Sequence, residues 1–570
     1  MSASTTADSS SLNSQHKDTT LKLLFSNSSL ELLLKHRSKT KGGSHNLYLY
    51  FFTKIITSNN IVPFETFNHP VAQIFVIDYH KDTLDDLRQY IVTFRNYNFP
   101  KYFQIDDLLM HVFVFYDPNI VSNPVELSEY QSRVKSNLSI SCTMVPIEPK
   151  EKWLKSDQKS VTYSISDYST IEEDLQRITL EQNDLQTMFQ VPESLDIVMK
   201  RKVFDFVARL LIPHMESRVR LWDDLVLSPK KSITGRFFSV SRMIFQGGSN
   251  SGSPEPHSGG QNSLASSQFN NQENYYYKTS QEQIIRKLAD WSLVLKDFKY
   301  AYSTYDLIKK DYSNDKAWAY VASVQEICIV SLLFAQTQQT QPPQVPDRNT
   351  LRKIRHDIIE PYCDNLLYTF KSRFNLKSYG IKALIVIIEL LLCMCLHFQN
   401  GWWWNDLIEK YLVKCISEFY PRQAPTSLMP VVSGGGQVIR ALLCERLGYT
   451  FTKCTYSGRL ARRVEEENEA NADVNLVESE STEDPDLYVN TNKLHQYSVH
   501  LQGFSRYRKA SMWYLLAMKE WLDLKEKPHL ELTLKNVLSC FPQDLTDNWY
   551  DRENLLLGKI KRFLKEVQNQ

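Results

Sequence analysis

The chain has 570 residues, with 66 Lys and Arg against 65 Asp and Glu, giving a net charge of +1 with His neutral. That length exceeds what one hydrophobic core supports and predicts roughly three or four structural units, while the balanced charge leaves no chain-wide field for a polyanion. Nine cysteines are too sparse for a disulfide scaffold, and the start MSASTTADSSSLNS lacks a basic and apolar leader, which together predict a reduced cytoplasmic protein.

Residues 1–20 are rich in Ser, Thr and Asp and are expected to be disordered. Two apolar segments follow, LKLLFSNSSLELLLKH and LYLYFFTKII, the second with helical character. VAQIFVIDY (71–79) and MHVFVFYD (110–117) read as strands buried on both faces, and DTLDDLRQYIVTFRN between them has helical spacing at Leu84, Leu87, Ile91 and Phe94. LSEYQSRVKSNL and SISCTMVPIE repeat the alternation, so residues 21–150 are assigned to a small, mainly parallel α/β domain with preceding helices. Residues 151–229 form a helical connector in which Pro213 is expected to kink a helix. After a basic and aromatic stretch at 230–246, residues 247–277 are mostly Gly, Ser, Asn and Gln and read as a flexible linker.

From residue 278 the chain reads as helical pairs, with Ala289, Ala301, Ala317 and Ala322 set among large aromatics as in tetratricopeptide-like hairpins. YRKASMWYLLA near 507 echoes FKYAYSTYDLI near 298. The reading is a C-terminal α-solenoid in two parts, 278–461 and 489–570, interrupted at 462–488 by an insertion with ten acids after Arg463. The fold class is therefore α+β overall, a small α/β domain followed by an α-solenoid. Within it, Ile381 to Leu396 is apolar except for Lys382 and Glu389; at 16 residues it is too short for a membrane span and reads as a core helix.

No catalytic chemistry is legible. The turn after the first strand is HKDT, without glycine, and no phosphate-binding loop, GxSxG, HExxH or kinase signature occurs. Asp78, Asp106 and Asp117 near strand ends are the residues of caps and turns rather than metal ligands. Cys393 and Cys395 lie in the apolar helix and read as core, and Cys444 and Cys454 have no zinc-type spacing. The glycines 434–436 read as a turn opening a helix, and Trp402 to Trp404 divide between core and a helix seam or form a partner surface. No cofactor and no metal is expected.

The stretch KKSITGRFFSVSRMIFQGG (230–248) has four basic residues, three phenylalanines and no acid. As a helix at about 100° per residue it gathers Ile233, Phe237, Val240 and Ile244 within an arc of about 60°, with Phe238 and Phe245 beside them. Lys231 and Arg242 fall opposite, and Lys230 and Arg236 flank the apolar stripe. A helix on an aqueous surface ordinarily carries acids for i,i+4 pairs, whereas one that meets anionic lipid does not. The residues alone leave three readings: a helix packed on protein through its phenylalanines, a membrane-surface helix, or a nucleic-acid contact.

Four segments together carry a resemblance: NNIVPFETFNHPVAQIFVIDY (59–79), the basic aromatic stretch after LWDDLVLSPKKS, RKLADWSLVLKDFKYAYSTYDLIKKDYSNDKAWAYVASVQEI (286–327) and YRKASMWYLLAMKEW (507–521). The chain resembles the family of TRAPPIII-specific large subunits of the yeast transport protein particle, whose metazoan branch is the eighth TRAPPC subunit. The resemblance implies a non-catalytic subunit of a tethering and Rab guanine-nucleotide-exchange complex in autophagy and early secretory or Golgi traffic. It implies the small core subunits of the complex as partners, the early secretory and autophagic Rab GTPase through them, autophagy scaffold or membrane proteins, and no nucleic acid. Exchange is expected in other subunits, and the location is cytoplasm, Golgi membranes and the phagophore assembly site. It further implies an amphipathic membrane anchor, placing Ile233, Phe237, Phe238, Val240, Ile244 and Phe245 in lipid and Lys230, Lys231, Arg236 and Arg242 at headgroups. The family carries a longer region ahead of the FNHP segment, here at 67–70, so contacts made by that region are expected to be reduced. The contrasting expectation is a stand-alone solenoid adaptor for a coat or RNA.

Overall fold

A computed structural model describes residues 19–39, 47–57, 62–65, 67, 69–121, 123–147, 159–164, 168–179, 188–228, 269–338, 346, 348–398, 405–420, 436–453, 505–539, 562 and 565–566. In chain order they carry α1 (Thr19–Leu24), α2 (Asn27–Lys39), α3 (Leu47–Thr57), β1 (Ala72–Asp78), α4 (Leu84–Arg95), β2 (Leu109–Tyr116), α5 (Pro124–Leu138), β3 (Ser141–Pro146) and β4 (Ser160–Ser164). Next come α6 (Ile171–Thr179), β5 (Met188–Pro192), α7 (Glu193–Phe206), α8 (Ile212–Trp222), β6 (Phe269–Asn270), β7 (Tyr275–Tyr276), α9 (Gln281–Val294), α10 (Phe298–Asn314) and α11 (Trp318–Thr337). The remainder is α12 (Arg348–Lys353), α13 (Glu360–Tyr368), α14 (Lys377–His397), α15 (Asn405–Glu418), α16 (Gln437–Lys453), α17 (Ser505–Asp523) and α18 (Lys527–Ser539). The architecture is mainly helical with small sheets. The chain divides into two compact units, one spanning Asn60–Ser169 and Asn183–Ala335, the other Met1–Asn59, Thr170–Gln182 and Gln336–Gln570.

The first unit is built on a parallel sheet in the order β1-β2-β3. Phe75 lies opposite Val112, and Val112 opposite Cys142, so the apolar runs of β1 and β2 come into register. The middle strand β2 is buried through His111–Val114, which explains its unbroken apolar sequence. α4 starts at a capping box, Thr83 and Asp86 exchanging side-chain and backbone hydrogen bonds, and lays Leu87 and Ile91 on one face of the sheet. α5 begins at Asn123 and Pro124 and adds Tyr130 and Val134 to that face. α7 covers part of the other face, packing Phe206 against Phe113 and Val145. His111 is buried there; its ring nitrogens lie 2.9 Å from the hydroxyls of Ser141 and Thr143.

Several expectations are corrected by the structure. The helices ahead of the sheet, α1 to α3, belong to the second unit because their apolar faces pack on its helices: Phe25 meets Phe419 at 6.1 Å. The segment read as a helical connector contains an antiparallel pair, β4 with β5, in which Tyr163 faces Phe189. Part of the stretch read as linker also folds: β6 and β7 pair, and Tyr276 is fully buried against Tyr312 and Tyr320. Its aromatics supply the apolar area that the Gly, Ser and Asn content concealed. Pro213, where a kink is expected, follows a π-helical turn, Val207–Leu211, in which Ile212 donates to the Val207 carbonyl. Pro361 follows the π turn Ile354–Ile359 in the same way.

The helices expected to form one array divide between the units: α9 and α10 lie in the first unit, α12 to α18 in the second. In the second unit α14 is buried on nearly all sides, as its sequence indicated, but Cys393 is exposed, in contrast to its expected core position. The single acid of its apolar run, Glu389, receives Arg446 Nε from α16 at 2.8 Å and the Tyr48 hydroxyl from α3. A buried Arg440–Glu520 pair joins α16 to α17 at 2.7 and 3.0 Å. The same two helices cross closely at Gly448, where a Cβ would lie 2.8 Å from the Tyr514 ring. Glu445, pushed up to about 7 by burial, accepts from Trp521 Nε1 at 2.6 Å and from Thr533, tying in α18. Gly436 supplies the positive φ of 71° with which α16 opens.

Candidate functional site

Lys230, Lys231, Ile233, Arg236, Phe237, Phe238, Val240, Arg242, Ile244 and Phe245 all lie outside the described residues, as do Trp402 to Trp404 and the acidic segment 462–488. The structure places the stem that leads to residue 230. α7, the π turn at Val207–Leu211, α8 and a second π turn at Asp223–Leu227 run as one continuous helix through Ser228, the last described residue of this stretch. Each stage of it is held. Phe206 sits on the sheet, and His214 Nε2 donates to the Asp107 carbonyl at 2.8 Å. The Asp107 carboxylate lies 3.4 Å from both Arg218 and Lys287.

At the end of the stem, Trp222 packs edge-on against Trp291 of α9 with centroids 4.9 Å apart. Lys287 is buried with its ammonium 5.2 Å from the Trp222 ring and 5.3 Å from the Trp291 ring, a desolvated cation-π arrangement. Tyr300 of α10 donates its hydroxyl to Asp223 at 2.5 Å, and Leu227 is fully buried. Residue 230 therefore follows a fixed support by only two positions.

A second constellation fixes the segment 62–70. In α9, Arg286 and Asp290 are buried one turn apart, with Arg286 Nε 3.5 Å from Asp290 Oδ1. Asp290 accepts the Tyr305 hydroxyl and the Phe67 N–H, the latter at 3.4 Å, and His69 Nδ1 lies 3.8 Å from it. Arg286 donates to Ser323 at 2.9 Å and to the Phe64 carbonyl at 3.5 Å. Burial, with Lys287 and Arg286 nearby, holds the His69 imidazole well below its ordinary pKa, so it is neutral. A small polar cleft beside it is lined by Pro63, Glu65, His69, Tyr102, Gln104 and Arg286. Two sequence stretches more than 200 positions apart thus meet on one carboxylate. The signal was present as Arg286 and Asp290 at i,i+4 in one helix, but their partner segment was not readable.

The strand-end aspartates are structural. Asp78 accepts from His80 N–H at 2.9 Å, Asp117 from Asn119 N–H at 2.9 Å, and Asp106 pairs with Lys278 at 3.1 Å. Among the described residues no group of three His, Cys, Asp or Glu side chains is placed to hold a metal ion. α11 and α14 are long and apolar enough to cross a membrane, but both are mostly buried within the protein.

Residues 2–395 match the family described as the ER-Golgi trafficking TRAPP I complex 85 kDa subunit. The chain is 25% identical over 584 residues to the trafficking protein particle complex III-specific subunit 85 of Saccharomyces cerevisiae, covering 95% of this chain and 75% of that protein. It is 23% identical to the transport protein particle subunit trs85-2 of Schizosaccharomyces pombe over 60% of this chain and 52% of the relative. The human trafficking protein particle complex subunit 8 is 28% identical over 170 residues, 30% of this chain and 11% of that protein. The family match covers well over half of the chain and includes the sheet, the stem and the α9–α11 network, so the chain belongs to the TRAPPC-Trs85 family.

Proposed function

We propose that this chain is a non-catalytic subunit of a TRAPPIII-type tethering and Rab-exchange complex and directs that complex to membranes in autophagic and early secretory traffic. The observation that carries the reading is the family match across residues 2–395, which includes the basic aromatic stretch 230–246. Its partners are the small core subunits, an early secretory and autophagic Rab GTPase reached through them, and anionic membranes; autophagy scaffold or membrane proteins belong to the same setting. The working location is peripheral, on Golgi and early secretory membranes and the phagophore assembly site. The helical hairpins α9/α10 and α17/α18 support the finer reading of the helical regions as tetratricopeptide-like pairs.

In the membrane role, Ile233, Phe237, Phe238, Val240, Ile244 and Phe245 enter the headgroup boundary while Lys230, Lys231, Arg236 and Arg242 meet anionic lipid. Each buried apolar side chain contributes about 1 kcal/mol or more, offset by ordering of the segment, and each basic residue adds about 1 kcal/mol on an anionic leaflet. Binding is therefore weak, reversible and dependent on lipid charge. The fixed stem supports this reading, because a segment following a held helix loses less orientational freedom on docking than one at the end of a long tether.

The test is flotation of the full chain on liposomes. Phe237→Asp with Ile244→Asp is expected to abolish flotation while melting and complex assembly stay unchanged; Lys230→Ala with Lys231→Ala weakens it on anionic liposomes and less on neutral ones. If the double Asp variant unfolds or loses its partners, the stripe is a protein-packing surface. Recovery of coat or RNA-processing proteins in place of TRAPP subunits in a pull-down would favour the stand-alone adaptor.

A further inference from the structure

β1 is an edge strand whose ladder is complete on one side only. It pairs with β2, and among the described residues with no other strand. Leu109 N–H donates to the Val71 carbonyl, and Tyr79 N–H donates to the Phe115 carbonyl. In a parallel ladder alternate residues turn both backbone groups to the same neighbour, so the odd positions 71 to 79 face β2 and Ala72, Ile74, Val76 and Asp78 face outward. Two outward groups are already engaged: Asp78 N–H donates to Asp82 at 2.7 Å, and the Ile74 carbonyl accepts from Gln73 Nε2 at 3.2 Å. The Ile74 N–H and both backbone groups of Val76 remain directed away from the sheet.

The side chains at these positions are as unusual as the backbone. Ile74 is 42% and Val76 61% exposed, although both are β-branched; the cluster that α7 builds on this sheet face takes in Ala72 at the start of β1 but neither Ile74 nor Val76. Solvent-facing edge strands are ordinarily blunted by lysine, proline, a bulge or extreme shortness. The run Ala72–Ile77 has none of these, and its first charge is Asp78 at the end. An apolar patch alone would accept many shapes, but a row of outward N–H and C=O groups at a two-residue repeat is complementary only to another extended backbone.

We propose that β1 receives an extended segment of another subunit as a fourth strand, through main-chain hydrogen bonds at Ile74 and Val76, with alternate apolar side chains of that segment packing on these two residues. The identity of the donor as a subunit of the complex rests on the function proposed above; the edge itself rests on the β1 ladder. This is strand addition, in which backbone pairing supplies affinity and alternate side chains supply specificity.

The test compares the isolated full chain with the chain in reconstituted complex with the TRAPP core subunits. Amide exchange at single-residue resolution is expected to show the Ile74 and Val76 N–H groups fast in the isolated chain and strongly slowed in the complex, with Phe75 and Ile77 protected in both. Val76→Pro removes an outward N–H without touching the β2 ladder; it should leave melting unchanged and weaken assembly by about tenfold, the loss of one or two backbone hydrogen bonds. Equal assembly of Val76→Pro and wild type, or unchanged exchange at Ile74 and Val76 in the complex, overturns the proposal. Protection of these amides in a self-associated form without other subunits overturns it in favour of a second copy. Failure of the wild-type chain to join the core subunits at all overturns the function proposed above, and is distinct from wild type and variant assembling equally.

Discussion

At the scale of single residues, the decisive groups are buried carboxylates inside helices. Glu389 stands alone in ALIVIIELLLCMCL, and Asp290 sits in α9 among Leu288, Ala289 and Trp291; each is buried, and each receives an arginine and a tyrosine hydroxyl. Removing one partner from such a site leaves a buried charge, which typically costs about 3–5 kcal/mol. The charges were visible in the sequence, but their distant partners were not, because Tyr48 lies 341 positions from Glu389 and Phe67 lies 223 from Asp290. His111 gives a pH prediction. Burial pushes its imidazole down to about 4. Below its unfolded value, about 6.5, the unfolded chain takes up a proton that the folded ring refuses, so stability present above that value is lost as pH falls towards 4, by up to about 3 kcal/mol. His69 is depressed as well and acts in the same direction. Urea midpoints at pH 7.5 and 5 should fall for wild type and fall less for His111→Gln; equal losses would remove His111 as a source.

At the scale of elements, three helix ends share one device. α9, α10 and α17 each stop at a lysine in the left-handed region, Lys296 at φ 67°, Lys316 at 60° and Lys525 at 59°. In each, the following N–H reaches back five residues, Asp297 to Ser292, Ala317 to Tyr312 and Glu526 to Trp521, and the lysine N–H reaches back three. These are Schellman closures, whose usual residue is glycine because a Cβ is disfavoured there. Lys316→Gly is therefore expected to raise stability by about 0.5–1 kcal/mol, after the greater chain entropy of glycine is deducted, and a melting experiment reads this as a small upward shift. A downward shift would mean that the lysine side chain contributes more than the strain removes. The repeated closure gives physical content to the sequence echo between residues near 298 and 507, since the same turn follows the same aromatic and small-residue pattern. The crossing of α16 and α17 was not readable in that way. Gly448 looks like any mid-helix glycine until the Tyr514 ring is seen against it.

At the scale of the whole molecule, the chain is two cores, each assembled from segments far apart in sequence. A prediction follows for activity: the purified chain added to a Rab loaded with labelled nucleotide should release it at the intrinsic rate, and faster release without other subunits would overturn the non-catalytic assignment. The sequence by itself determined the elements whose cause is local. The three parallel strands, α4 with its Thr83 cap, the buried apolar helix α14 and the helical hairpins after residue 278 follow from periodicity, caps and turn residues within a few positions. The family was also legible, because its motifs are contiguous stretches. Only the tertiary structure decided which segments share a core: that α1 to α3 join the C-terminal helices, that α9 to α11 join the sheet, and that Tyr275 and Tyr276 fold into an aromatic cluster. Those choices depend on the fit of apolar faces and on pairing buried charges across hundreds of residues. Neither leaves a periodic signal in the chain, because a helix face records that it is buried and not what buries it.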